Sequence, residues 1–224
     1  MDLGKAFSFV FDDSEWIKKV LIAAAVFLIP VVGQIVVLGW GLTITQRVIR
    51  GDAELLPDWS GFGEYLGLGF KAFIVSFVYM IPVMILTLPP SLMASLAQDD
   101  TVLQIASVLS ILCSCLTIIY SIAMALLLPA AMGKVAESET IGAGFKLGEI
   151  FGMVKDNISA YLMVFVGMLG SGLLGSLGTI LCVVGVLATQ AYAMAVNGHL
   201  IGQPYLKAKP SAGSFESVPA ELQS

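Results

Sequence analysis

The sequence predicts an all-α integral membrane protein with about six membrane helices arranged as three hairpins. Hydrophobic residues make up 58% of the chain and charged residues only 12%, whereas soluble domains carry about 25% charged residues. A chain of 224 residues accommodates about six helices of about 20 residues, the length that crosses a bilayer. Finally, a hairpin arrangement places every basic residue on one side of the membrane, as the positive-inside rule requires.

The basic residues lie in four polar regions that separate the apolar stretches. The three other connections, at residues 30–33, 89–101 and 175–178, contain no lysine or arginine. An excess of basic residues in short loops marks the cytoplasmic side, so both termini are predicted to be cytoplasmic. The basic residues, region by region, are Lys5, Lys18 and Lys19; Arg47, Arg50 and Lys71; Lys134, Lys146 and Lys155; and Lys207 and Lys209.

The first hairpin is predicted from the apolar run that begins at Trp16 and ends at Arg47. A single crossing would put Arg47 opposite Lys18, so a turn at residues 30–33 satisfies the charge rule better. Each arm would be about 24 Å long, shorter than a hydrocarbon core of about 30 Å. The sequence leaves open whether this hairpin spans fully or is re-entrant.

The second and third hairpins are predicted from longer apolar runs. The second comprises residues 72–88, which stop at Pro89 and Pro90, and residues 102–132. The third comprises residues 158–174 and 179–200. Together the hairpins form one polytopic domain over residues 1–206, and the Pro- and Ser-containing tail, 207–224, is predicted to be disordered. Short amphipathic helices at the interface are predicted for residues 2–14, 61–70 and 140–156.

A shift of the chain by 144 residues against itself suggests a weak parallel repeat, 4–46 against 148–190. The composition is strongly biased, so chance matching is an open alternative. Four crossings separate the copies, which would make the repeat parallel rather than inverted. The matches are Gly4 with Gly148, Phe7 with Phe151, Val10 with Val154, Asp12 with Asp156, Gly41 with Gly185, Thr45 with Thr189 and Gln46 with Gln190.

No catalytic, cofactor-binding or metal-binding motif is present, so the sequence predicts a protein that is not an enzyme and has no cofactor. The zinc-protease, nucleophile-elbow and phosphate-loop patterns are all missing. One histidine, His199, cannot form a metal site without partners. Basic residues are interspersed with acids and the net charge is −5, which argues against nucleic-acid binding.

Three groups of residues are candidates for binding or packing. Four glutamines in apolar stretches could bond neighbouring helices or line a polar cavity. Two tryptophans and the histidine could lie at the membrane interface beside lipid headgroups. Small residues four apart could let helices pack closely, within the chain or with a partner. These groups are Gln34, Gln46, Gln104 and Gln190; Trp16, Trp59 and His199; and Gly167, Ser171 and Gly175.

Several short motifs resemble a prokaryotic membrane family catalogued as domain of unknown function 4013. The resemblance covers most of the chain except the tail and implies a multi-spanning protein of the prokaryotic cell (inner) membrane. It carries over no functional residue, because the family has no assigned activity. The motifs are Phe11-Asp12-Asp13 with Trp16, Gly39-Trp40 with Arg47 and Arg50-Gly51, Leu56-Pro57-Asp58-Trp59, Gly69-Phe70-Lys71-Ala72, Tyr79 with Pro82, and His199 to Gln203.

The sequence favours a non-catalytic membrane protein that acts as an accessory or scaffolding subunit or organises lipid. Its expected partners are membrane lipids and either a larger membrane complex or further copies of the chain. The alternative is a transporter or channel for a small neutral or lipid-like solute, with the glutamines around a cavity. An enzyme would need catalytic carboxylates at the inner surface, drawn from Asp12, Asp13, Asp52, Asp58 and Asp156.

Overall fold

The structure, a computed structural model, describes residues 1–208, apart from the side chains of residues 181–184 and 207–208. The predicted disordered tail lies outside the described residues from position 209 onward. Three short 3₁₀ segments, Phe9–Asp12, Ile141–Phe145 and Gly178–Leu181, connect the α-helices. The helices of the described part are α1 (Leu3–Ser8), α2 (Trp16–Val26), α3 (Val32–Arg50), α4 (Phe62–Leu96), α5 (Asp100–Ser138), α6 (Leu147–Asp156), α7 (Ile158–Leu177) and α8 (Cys182–Ala208).

The prediction of an all-helical protein with membrane-spanning helices is confirmed at that level. Within the described part of the chain, α3, α4, α5 and the segment Ile158–Ile180 are long and apolar enough to cross a membrane. Six crossings and their arrangement as hairpins stay a prediction. With 11 residues, α2 is only about 16 Å long, so this helix alone does not cross a core of about 30 Å.

Helix α4 is longer at both ends than the sequence predicts. The segment 61–70, predicted to lie separately at the interface, forms its first turns, and the helix continues through Pro89 and Pro90 to Leu96. Proline in a membrane helix is tolerated where nearby groups bond the freed backbone. Pro89 and Pro90 leave the carbonyls of Ile85 and Leu86 without their helical N–H partners. The hydroxyls of Thr87 and Ser91 add bonds to the nearby carbonyls of Val83 and Thr87, at 2.8 and 2.5 Å, and the helix runs on to Leu96. The predicted stop at Pro89 and Pro90 is therefore wrong.

Glycines allow α3 to cross α4 at close range. A Cβ atom on Gly39 would overlap the carbonyl of Tyr65, and one on Gly69 would overlap the carbonyl of Ile35. The pairing of Gly39 with Tyr65 and of Ile35 with Gly69 shows that the two helices run antiparallel. Small residues at such a crossing let two backbones touch, so these two glycines fix where α4 meets the centre of the fold.

A second glycine contact joins α3 to α8, and these two helices run parallel. Gly198 lies against the carbonyl of Gly41, and Gly202 lies against the carbonyl of Thr45, one turn further along both helices. The Thr45 hydroxyl donates to the Gly198 carbonyl at 2.8 Å. Since α4 and α8 both pack on it, α3 is the buried central helix of the molecule.

The small-residue face of α7 packs inside the chain, against α8. A Cβ on Gly167 would contact Leu200, and a Cβ on Gly175 would contact Gln190. Between them, the Ser171 hydroxyl donates to Asn197 Oδ1 at 2.6 Å. The structure therefore uses Gly167, Ser171 and Gly175 for the intramolecular contact that the sequence left open beside a partner face.

The two segments of the predicted repeat have related environments. The shift of 144 residues places α1 and its 3₁₀ turn on α6, and two matched pairs are buried, Ala6 with Ile150 and Val10 with Val154, whereas Phe9 is buried and Met153 is half-buried. Thr45 and Thr189 also make matching bonds: each donates to a glycine carbonyl one turn back and to a glycine carbonyl of the adjacent helix. Internal duplication stays a prediction that these contacts support.

Candidate functional site

The three successive carbonyls of the motif Leu56-Pro57-Asp58 each accept a hydrogen bond from a side chain of a different helix. Lys19 Nζ donates to the Leu56 carbonyl at 3.0 Å, and Trp40 Nε1 donates to that of Pro57 at 3.1 Å. The Tyr65 hydroxyl donates to the Asp58 carbonyl at 2.5 Å. The loop between α3 and α4 is therefore tied to α2, α3 and α4 at once, and we call it the loop clasp.

Trp59 completes the loop clasp. Its Nε1 donates to the Lys19 carbonyl at 2.8 Å, and its ring stacks on Trp40 with centroids 5.6 Å apart. Lys19 pairs with Asp13 at 2.5 Å in a largely buried contact. Burial alone would raise the pKa of Asp13, but the hydrogen bonds from Lys19 and the Glu15 backbone bring that pKa below its ordinary value of 3.8.

A cleft of about 780 Å³ opens beside the crossing of α3 and α4. Its lining positions on each helix are three or four residues apart, so each helix contributes one continuous face. Seven of the eleven lining residues are charged, three basic and four acidic. The lining consists of Thr43, Gln46, Arg47 and Arg50 from α3, Asp52 and Glu54 from the loop, Glu64, Gly67, Leu68 and Lys71 from α4, and Glu139.

Glu139 closes one end of this charged cleft in an unusual backbone conformation. It follows α5 directly and has a φ of 54°, which few residues other than glycine adopt. Gln46 Nε2 donates to Glu139 Oε1 at 2.9 Å and to the Ala136 carbonyl at 2.8 Å. Arg50 lies 4.0 Å from the same carboxylate. The buried glutamine thus joins the end of α5 to α3 and positions an acid at the cleft.

The basic residues of the cleft differ in how they are bound. Arg47 Nη1 donates to the Glu54 carbonyl at 3.0 Å, which holds the loop over the cleft. Lys71 has no carboxylate within ion-pair distance in the described part of the chain. Side chains of both signs around one space suit a dipolar solute or headgroup, because each end of the ligand finds an opposite charge.

The structure does not bring the four candidate glutamines together. Gln46 is buried at the charged cleft, whereas Gln34, Gln104 and Gln190 are exposed on α3, α5 and α8. Gln190 lies against Gly175 of α7. A shared cavity lined by all four, which would have supported transport, is therefore not formed by this arrangement.

All three interfacial candidates take part in internal contacts. Trp59 belongs to the loop clasp. His199 is buried, stacks on Phe9 with ring centroids 4.7 Å apart, and lies 3.1 Å from Gln203 Nε2. Gln203 in turn bonds the backbone of Asp2, so His199 supports the docking of the N-terminal segment instead of facing lipid headgroups. Trp16 is half-buried and lies edge-on to Phe11.

Sequence reasoning missed most of the residues that line the charged cleft. Arg47, Arg50 and Lys71 served only to assign the side of the membrane and to support the family resemblance, and Glu64 fell in the segment 61–70, which was predicted to lie separately at the interface. A usable signal was the spacing of Glu64, Leu68 and Lys71 along one helical face. Glu139 could not be placed, because only the folded chain brings it to Gln46.

Comparison with known proteins gives a family and no activity. No curated protein and no solved structure matches the chain. A family model described as a protein of unknown function (DUF4013) matches residues 22–184. That range contains the glycine crossing, the carbonyls of the loop clasp and the whole lining of the charged cleft. The chain belongs to the DUF4013 family.

Proposed function

We propose that this protein is a non-catalytic, multi-spanning subunit that scaffolds a larger membrane assembly. The observation that carries the proposal is the exposure of the apolar surface of α4 and α5, in the outer part of the pair around the connection at residues 97–99. In the most apolar 18-residue window of α5 no residue is buried, and in that of α4 only 11% are. Each helix packs on the other, and the rest of their apolar surface is left for lipid or a partner.

The length of these helices favours a protein partner over lipid alone. With 35 and 39 residues, they are about 52 and 58 Å long, against a hydrocarbon core of about 30 Å. Exposed apolar residues continue along the pair, from Phe70 and Phe73 to Leu96 and Leu103. Apolar surface longer than the lipid core is costly unless the helices tilt or another protein covers it.

The carboxylates at the inner surface support a structural role. Asp13 is held by Lys19, Asp12 pairs with Lys5 at 2.7 Å, and Asp58 accepts bonds from Ser60. Hydrogen bonds from Ser60 to Asp58 lower the pKa of that carboxyl. Acids engaged in this way serve loop and helix-end geometry, and a general acid or base would need a raised pKa.

Photo-cross-linking in cells tests the scaffolding role. A cross-linking amino acid is placed at Ile85, Ile111 or Ile119 on the pair, and at Leu173 on α7 as the control; all four are at least half exposed. A discrete protein adduct at the first three positions and none at Leu173 is expected. Adducts to lipid alone at all positions would contradict the proposal, and an adduct of twice the chain's mass would identify a second copy.

A second candidate function, binding or transport of a small dipolar solute, is favoured by the charged cleft. Glu64 and Lys71 line the cleft about two turns apart on the same face of α4. Thermal unfolding of the purified protein with and without glycine betaine gives the test, with Glu64→Gln and Lys71→Gln as variants. A rise in Tm that both variants abolish, and that the surface variant Lys18→Gln keeps, would support this function. An unchanged Tm with the wild-type protein would argue against it for this class of solute.

A further inference from the structure

A second, apolar groove lies where α5, α6 and the first residue of α7 meet. It has a volume of about 410 Å³, and its walls are almost entirely aliphatic or aromatic, with one charged side chain at the edge. The lining of the groove shares no residue with that of the charged cleft. Its lining consists of Ala123, Leu126 and Leu127 from α5, Phe151, Val154 and Lys155 from α6, and Ile158.

Lys155, the lysine at the edge of the groove, differs from the nearby lysines because no carboxylate pairs with it in the described residues. Lys134 and Lys146 both pair with Glu149 on α6. Lys155 lies six residues after Glu149 on the same helix. It is exposed and has no carboxylate within ion-pair distance in the described residues. The groove therefore has, at its edge, one lysine that forms no ion pair within the described residues.

The two walls of the groove come from helices suited to different depths of a membrane. On one side, the exposed Ile118, Ile119 and Ile122 of α5 continue the apolar surface of the helix up to the groove, which suits the depth of the acyl chains. On the other, α6 is amphipathic: it buries Ile150 and Val154 and exposes Leu147 and Phe151 beside its charged residues. Such a helix lies at the boundary between headgroups and acyl chains.

We propose that this groove binds an anionic phospholipid, with one acyl chain between α5 and α6 and the phosphate at Lys155 Nζ. Charge complementarity selects the occupant: an apolar chain fits the walls, and only a ligand with a negative head compensates the lysine at their edge. A zwitterionic phospholipid would gain the same apolar contact and less from the lysine. This site adjoins the proposed partner surface on α5, but its lining contains none of the cross-linking positions Ile85, Ile111 and Ile119.

Lipid retention by the purified full chain tests the proposal. The protein is extracted in mild detergent, equilibrated with equal mole fractions of phosphatidylglycerol and phosphatidylcholine, and its bound lipid is counted by native mass spectrometry. A retained phosphatidylglycerol molecule is expected for the wild-type chain. Lys155→Gln should reduce the preference for phosphatidylglycerol about fivefold, because a basic residue near a membrane surface contributes about 1 kcal/mol.

Matched variants separate this site from general attraction of lipid. Lys146→Gln removes a nearby lysine that Glu149 already pairs, and should keep the preference. Ala123→Phe fills the groove and should lose both lipids, whereas Ser121→Phe, on an exposed part of the same helix outside the groove, should retain them. An equal preference in wild type and Lys155→Gln, or lipid retained by Ala123→Phe, would overturn the proposal.

Discussion

Val31, in the turn between α2 and α3, has a strained backbone conformation that the fold imposes on a single residue. Its φ is 62°, and the Val32 N–H donates to the Pro30 carbonyl at 2.7 Å, which closes a γ-turn around Val31. This form of the turn is rare and strained, above all for a β-branched residue. The strain is compatible with folding because the packing of α3 on α4 and α8 fixes where the helix must begin.

Replacement of Val31 by glycine should therefore stabilise the protein. Strain of about 1–3 kcal/mol is relieved, and the greater freedom of glycine in the unfolded chain costs about 0.5–1 kcal/mol, so a small net gain is expected. Thermal unfolding in detergent, followed by tryptophan fluorescence, measures it. Val32→Gly, in the first turn of α3, is the control and should lower stability; a Val31→Gly variant less stable than wild type would contradict the strain.

Asp13 should make the stability of the protein depend on acid pH. Its pKa is lowered in the fold, so its contribution is fully present above the unfolded value of about 3.9. That contribution is lost as the pH falls through the lower folded pKa. The Tm of Asp13→Asn should be below that of wild type by a few degrees at pH 7, and the gap should narrow by pH 3.

The adjacent acid gives the control for this pH dependence. Asp12 pairs with Lys5, but both side chains are more than half exposed, and exposed pairs contribute about 0–1 kcal/mol. Asp12→Asn should therefore change the Tm little at either pH. A gap between wild type and Asp13→Asn that is the same at pH 7 and pH 3 would show that Asp13 acts through packing and not through its charge.

The crossing of α3 and α4 depends on the absence of side chains at Gly39 and Gly69. Gly69→Ala puts a methyl group into the Ile35 carbonyl and should lower stability by about 1–3 kcal/mol, the usual cost of overpacking. Gly67→Ala lies two residues away on α4 with open space around it, and should raise stability by about 0.5–1 kcal/mol. Unfolding of both variants in detergent measures the difference; equal stabilities would mean that the helices do not meet here.

The elements were predictable where their signals are local. The turn after α2 and the connection before α5 follow from Pro30 and from the polar residues Asp99 and Asp100, and the amphipathic α6 follows from its pattern of apolar residues. The regular spacing of Gly167, Ser171 and Gly175 identified a packing face. Gly39 and Gly69 do not belong to such a series. Each contacts the backbone of another helix, and the sequence of one helix does not show which part of another helix it will contact.

For the whole molecule, the charge rule makes a prediction about orientation that labelling can check. Cysteines are introduced singly at Asp52 and Gln98 in a chain whose own cysteines are replaced by alanine; both positions are exposed. A membrane-impermeant maleimide applied to intact cells should label Gln98→Cys, and label Asp52→Cys only after permeabilisation. The reverse result would invert the orientation, and equal labelling of both would disprove a single crossing between them.

The charged cleft is a property of the assembled molecule, and this is why sequence reasoning could not find it. Gln46 and Glu139 are 93 positions apart and meet through a hydrogen bond of 2.9 Å. Their meeting requires the glycine crossing, the loop clasp and the left-handed residue at the end of α5 together. Periodicity predicts which face of a helix is apolar, but not which distant residue will complete a polar site.

The buried position of α3 has a consequence for how the protein is made. Among the four candidate spans, α3 is the least apolar and the most enclosed by protein. Contact with lipid alone therefore stabilises α3 less than it stabilises the other three. Its neighbour α8 leaves the ribosome roughly ten seconds later, at synthesis rates of about 5–20 residues per second. During that interval the face of α3 that α8 covers in the fold, which includes Gly41 and Thr45, lacks its partner. Chains that end before α8 should therefore be cleared by membrane proteases, even though every earlier segment is intact.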